Sequence, residues 1–129
     1  MEFIKQVLLL ANKKCKERYS SSIYRLCGMD ENNENILIEL MAMDKLGPLL
    51  EQGSLAFLRI IPSLGWTISA AMLGSANSIQ TEKLIKKVYE NPLLYKACST
   101  IKEKYRNNDN NVNAAADELL RIIELESIL

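Results

Sequence analysis

The sequence predicts an all-α protein, a single compact bundle-like domain over residues 1–129 with about five to seven helices and a central apolar helical hairpin at about 54–75. Three observations carry that expectation. Apolar residues recur at i, i+3 and i+4 in several separate windows, which is the signature of amphipathic helices. No window alternates apolar and polar residues over several positions as a half-buried strand does; Leu55–Ile61 is the only strand-like run, and Pro62 closes it. With 129 residues, 48% of them apolar and 25% charged, the chain is about one domain long and able to bury a core without staples.

The first helix is expected over 2–18, with Phe3, Ile4, Val7, Leu8, Ala11 and Cys15 on one face. Ser20-Ser21-Ser22 then breaks the chain or caps a short turn carrying Ile23, Tyr24, Leu26 and Cys27. Gly28 to Asn33 reads as a loop, and a second helix runs from about Asn35 to Leu46, where Gly47-Pro48 stops it. After the central stretch, Ile79, Leu84, Ile85 and Val88 mark a helix within 78–90 that turns Lys83, Lys86 and Lys87 to water. Asn91 is the expected N-cap of the next helix, 92–106, with Pro92 in its first helical position. Its buried face holds Leu93, Leu94, Ala97, Cys98, Ile101 and Tyr105. The last helix, 113–127, has Asn113 as cap, Asp117 and Glu118 near its N-terminus, and Leu119, Leu120, Ile122 and Ile123 as core.

Gly53–Asn77 holds one charge, Arg59, and the only tryptophan, Trp66. A spanning helix needs about 20 predominantly apolar residues. Arg59, Pro62 and Gly65 leave only the shorter pieces 55–61 and 64–73, and a central arginine alone costs roughly 2.5–3.5 kcal/mol on insertion scales. The expectation is therefore two short buried helices joined at Pro62-Ser63, with Trp66 as their largest core anchor.

The chain has no histidine, which removes Ser-His-Asp and Cys-His catalysis and histidine-based metal sites. No phosphate-cradling GxxxxGK[ST] or GxGxxG motif is present. Two asparagine-rich segments start like calcium loops, at Asp30-x-Asn32-x-Glu34 and Asp109-x-Asn111-x-Asn113, but both lack the turn glycine and the closing glutamate. No catalytic group, cofactor or metal is expected. Cys15, Cys27 and Cys98 are odd in number and lack CxxC spacing, which fits a reducing compartment. Cys15 has lysines beside it, but its place on the apolar stripe makes it a buried structural residue. The N-terminal apolar run is short and its basic residues come mainly after it, opposite to a secretory signal, so the expected location is cytoplasmic.

The net charge is zero, but the charges are segregated. Residues 1–27 carry +4, residues 28–54 carry −5, residues 79–107 carry +4 and residues 108–129 carry −4. Blocks of this kind either neutralise each other in the fold or present local potential to a partner. The zero net charge and the lack of a reader motif argue against nucleic acid despite the basic clusters. The remaining expectation is a non-enzymatic protein-binding inhibitor of the immunity type. It would neutralise a toxin through an acidic surface formed by Asp30, Glu31, Glu34, Glu39, Asp44 and Glu51. The alternative is a helical adaptor or regulator, an apoptosis-type or chaperone-like bundle, that holds a partner helix in an apolar groove lined by 53–77.

Overall fold

In a computed structural model, the structure describes residues 2–29, 34–43, 46, 59, 61–66, 78–107 and 111–127. Six helices have defined bounds: α1 Glu2–Tyr19, α2 Ile23–Leu26, α3 Glu34–Ala42, α4 Ser78–Glu90, α5 Leu93–Lys104 and α6 Val112–Ser127. Residues 61–66 are helical as well, and the described residues contain no strand. The fold is the all-α, bundle-like domain that the periodicity predicts. Most of the expected 54–75 hairpin lies outside the described residues.

The bundle is built around α1, which packs most extensively on α6 and also touches α2, α3 and α5. Its inner stripe, Ile4, Val7, Leu8, Ala11 and Cys15, is fully buried. Spacings of three and four residues put these side chains on one side of the helix. From α6 come Ala115, Ala116, Leu119, Leu120 and Ile123, and from α3 come Ile36, Leu37, Leu40 and Met41. Helix α5 closes the bundle against α6 and α3, and α4 packs on α3 through a buried face of Thr81, Leu84, Ile85 and Val88.

The link from α1 to α2 is fixed by polar contacts. Buried Asn12 accepts a hydrogen bond from the Ile23 amide at 2.9 Å, and Ser22, the N-cap of α2, accepts one from the Arg25 amide at 3.1 Å. Two donors that the short helix leaves without an internal partner are thereby satisfied. Gly28, at φ 78°, then turns the chain in the left-handed region that a side chain disfavours.

Several helix ends depart from expectation, in two cases because the asparagine that resembles a cap binds elsewhere. Helix α3 stops at Ala42 rather than at Leu46, and the Tyr95 hydroxyl donates to the Met43 carbonyl at 2.5 Å. Asn35 lies inside α3, and Asn113 lies inside α6 with its side-chain oxygen accepting from Lys14 at 2.7 Å. Asn91 donates back to the Lys87 carbonyl of α4 at 3.4 Å, so Pro92 takes the N-cap position of α5 without a side-chain bond.

The largest correction concerns Trp66. It is 70% exposed and is no core anchor. The helical phase of 61–66 explains this. Ile61 and Gly65 face inward and are buried, while Trp66 points about 140° away from Ile61 at 100° per residue, with Pro62 and Ser63 also exposed. Nor do Pro62 and Ser63 separate two helices: both lie within the helical residues 61–66.

Gly65 sets how closely this segment approaches α4. A Cβ there would lie 2.9 Å from the Ser78 carbonyl oxygen and 3.2 Å from the Glu82 amide nitrogen, both backbone atoms with little freedom to move. Alanine gains up to about 1 kcal/mol in helix propensity, whereas overpacking costs about 1–3 kcal/mol. Gly65→Ala is expected to destabilise the protein by about 1 kcal/mol net, read as a lower urea midpoint at unchanged m-value.

Candidate functional site

The charge blocks of the sequence meet in the fold. Basic α1 lies between two acidic helices and is tied to both. Towards α3, Lys5 pairs with Glu39 at 2.7 Å and Lys16 with Glu34 at 3.8 Å. Towards α6, Lys14 pairs with Asp117 at 2.5 Å and Arg18 with Glu124 at 2.7 Å, and the Tyr19 hydroxyl also donates to Glu124. On the far side of α6, Lys104 of α5 pairs with Glu118 at 2.5 Å. Burial pushes the Glu124 carboxyl up, but the hydrogen bonds from Tyr19 and Arg18, with the charge of Arg18, outweigh it and hold the group below its usual value.

The acidic surface expected from the sequence is only partly in view. Glu34 and Glu39 both stand on α3, half-buried, and each is tied to a lysine of α1. Asp30, Glu31, Asp44 and Glu51 lie outside the described residues. Of the two calcium-like segments, Glu34 is committed to Lys16 and Asn113 to Lys14. The described residues contain no group of three or more His, Cys, Asp or Glu placed to hold a metal ion. No helix among them is long and apolar enough to cross a membrane.

The three cysteines are free and buried, as the stripe reading of Cys15 anticipates. Burial pushes the thiols of Cys27 and Cys98 up to about 12, and it raises Cys15 in spite of the nearby Arg18. A thiol held neutral in this way is a packing group rather than a nucleophile. Tyr24 belongs to the same interior: it is fully buried, and its hydroxyl has no hydrogen-bond partner among the described residues. Desolvation raises its pKa strongly, with Glu34, Cys98 and Cys27 adding to the effect.

No family model, curated protein or solved structure matches the chain.

One surface feature went unnoticed in the sequence. An open groove of about 460 Å³ runs between α5 and α6, lined by Pro92, Leu93, Ala97 and Ile122, with Lys96, Thr100 and Glu126 at its edges. Leu125 on α6 is 54% exposed. The available signal was the width of the apolar arc on α6. Leu119, Leu120, Ile122, Ile123 and Leu125 span an arc wider than the neighbouring helices cover, so Ile122 is half-buried at the margin of the core and Leu125 is exposed. Its lining is mainly apolar, with one positive and one negative side chain, Lys96 and Glu126.

Proposed function

We propose that the protein acts by binding another protein, as an immunity-type inhibitor that neutralises a basic toxin domain in the reducing cytoplasm without a catalytic step of its own. The observation that supports this reading is the ion-pair layout. Four of the five cations of α1 pair with α3 or α6, yet residues 28–54 carry six acids against one lysine, of which Glu34 and Glu39 are seen paired with α1 among the described residues. The acid excess of that block supplies the negative potential that a cationic, phosphate-binding surface recognises. Its test is a pull-down from the native host, quantified by mass spectrometry, with the wild-type chain and with Asp30, Glu31, Asp44 and Glu51 reversed to lysine. Glu34 and Glu39 stay intact because their reversal would disturb α1. The expected result is a cationic protein retained by the wild type, weakened at least about tenfold by the reversal and by raised salt.

A second reading, the helical adaptor, draws on the groove between α5 and α6, whose apolar floor suits the face of an amphipathic helix. Retention that survives the charge reversal but is lost on Leu93→Asp, with helical content unchanged, decides for the adaptor.

A further inference from the structure

Trp66 is 70% exposed and Ile79 is 64% exposed, and they belong to segments in direct contact. Gly65 is packed against the Ser78 carbonyl, and Trp66 and Ile79 are the residues that follow this contact pair. A tryptophan and an isoleucine therefore stand exposed on two segments packed against each other, at the corner where α4 begins. From Ile79 the outward stripe of α4 continues through Lys83 and Lys86, with Lys87 on its flank, all exposed. Among the described residues none of these three lysines has an ion pair, whereas most cations of α1 do. The two acids of α4 form no ion pair with them among the described residues: Glu82 is half-buried on the side facing residue 65, and Glu90 stands at the far end.

Single exposed apolar residues are ordinary on a protein surface. An exposed tryptophan and an exposed isoleucine on two packed segments, the second continuous with lysines that form no ion pair among the described residues, are a different pattern. We propose that this corner docks the protein on an anionic membrane surface. Trp66 and Ile79 enter the headgroup region, and Lys83, Lys86 and Lys87 meet the acidic headgroups. Tryptophan favours that interface because its ring is apolar while its N–H remains hydrogen-bonded. Lysines near an anionic leaflet are drawn to its surface potential. The contact lies on the bilayer and does not cross it, in keeping with the absence of a spanning helix among the described residues. A single-stranded nucleic acid would offer Trp66 a base to stack on and the lysines a backbone, but nothing apolar for Ile79. A bilayer satisfies all five side chains at once.

Trp66 is the only tryptophan, so the full-length protein reports on its own docking. The experiment titrates it at low salt with phosphatidylcholine vesicles containing or lacking phosphatidylserine. It follows tryptophan emission and co-sedimentation, with a single-stranded oligonucleotide as a parallel arm. The expected result is a blue shift and co-sedimentation with the phosphatidylserine vesicles alone, reversed by salt. Partition falls about five-fold for each of Lys83, Lys86 and Lys87 changed to glutamine. Trp66→Ser, followed by co-sedimentation, also loses binding while its circular dichroism stays helical. The proposal is overturned by an unchanged spectrum without co-sedimentation, by equal binding to uncharged vesicles, or by binding that persists in the glutamine variants. Tighter binding to the oligonucleotide than to any vesicle also overturns it and assigns the corner to nucleic acid.

Discussion

Replacing Leu8 by alanine is expected to cost about 2–5 kcal/mol, the range for emptying a fully buried leucine site that cannot collapse. Leu8 is fully buried on α1, the helix that α2, α3, α5 and α6 all touch, so a void there is walled by elements already held against one another. The loss is large beside a total stability of about 5–15 kcal/mol for an ordinary domain. It should appear as a melting midpoint lower by about 8–20 °C. Lys5→Ala on the same helix provides the contrast. It breaks the pair with Glu39, whose side chains are 27% and 40% exposed, and a pair that wet contributes at most about 1 kcal/mol. The comparison separates two roles of α1. Its apolar stripe supplies the stability, and its cations set which helices it lies between. A loss below about 1 kcal/mol for Leu8→Ala would mean that the stripe does not face the core.

The helices that were legible in the sequence are those that bury one face over three turns or more, because the stripe then repeats often enough to be counted. Helices α1, α4, α5 and α6 all meet that condition. Their ends were harder to place, because the asparagines that resemble caps have other partners. Asn113 reaches Lys14 across 99 residues, and the Tyr95 hydroxyl reaches the Met43 carbonyl across 52. Neither contact leaves a local trace. Trp66 was misplaced for a related reason. Hydrophobicity says that a tryptophan prefers the interior, but phase decides which side chains face in, and Pro62 and Gly65 break up the apolar pattern from which the phase would be read. The charge segregation was fully visible, but its resolution was not. Lys5 and Glu39 are 34 positions apart, and Arg18 and Glu124 are 106 apart, so their pairing follows from helix order in space. The acidic surface was legible as composition alone, and the groove between α5 and α6 was not, since a groove is a property of two helices that fail to cover each other.

Stability is expected to fall steeply as the pH rises above about 9, and the buried thiols set the sign. Cys27 and Cys98 titrate near 9.0 when exposed and are pushed up to about 12 in the fold, in both cases chiefly by desolvation. The neutral thiol is thus favoured in the native state. The contribution is fully present below the unfolded value of 9.0 and is lost as pH climbs towards the folded value of about 12, because the unfolded chain ionises first. Each thiol then costs about 1.4 kcal/mol per pH unit, so the pair removes about 3 kcal/mol by pH 10. Cys15 and Tyr24, whose pKa values burial also raises, act in the same direction. Lysine deprotonation, centred at 10.5 for an ordinary side chain, accounts for little of a fall already under way between pH 9 and 10. The measurement is a series of urea midpoints from about pH 7 to 10, for the wild type and for Cys27→Ala with Cys98→Ala. The double variant starts lower at neutral pH because it leaves small voids, so the slope is the decisive quantity. It should flatten by about half or more, because two of the groups that burial holds neutral are gone. An unchanged slope would mean that these thiols are not held neutral in the core. In the native wild type all three cysteines should also resist a thiol-specific reagent at pH 8 and react fully in urea, since the reactive thiolate forms only where water reaches the sulfur.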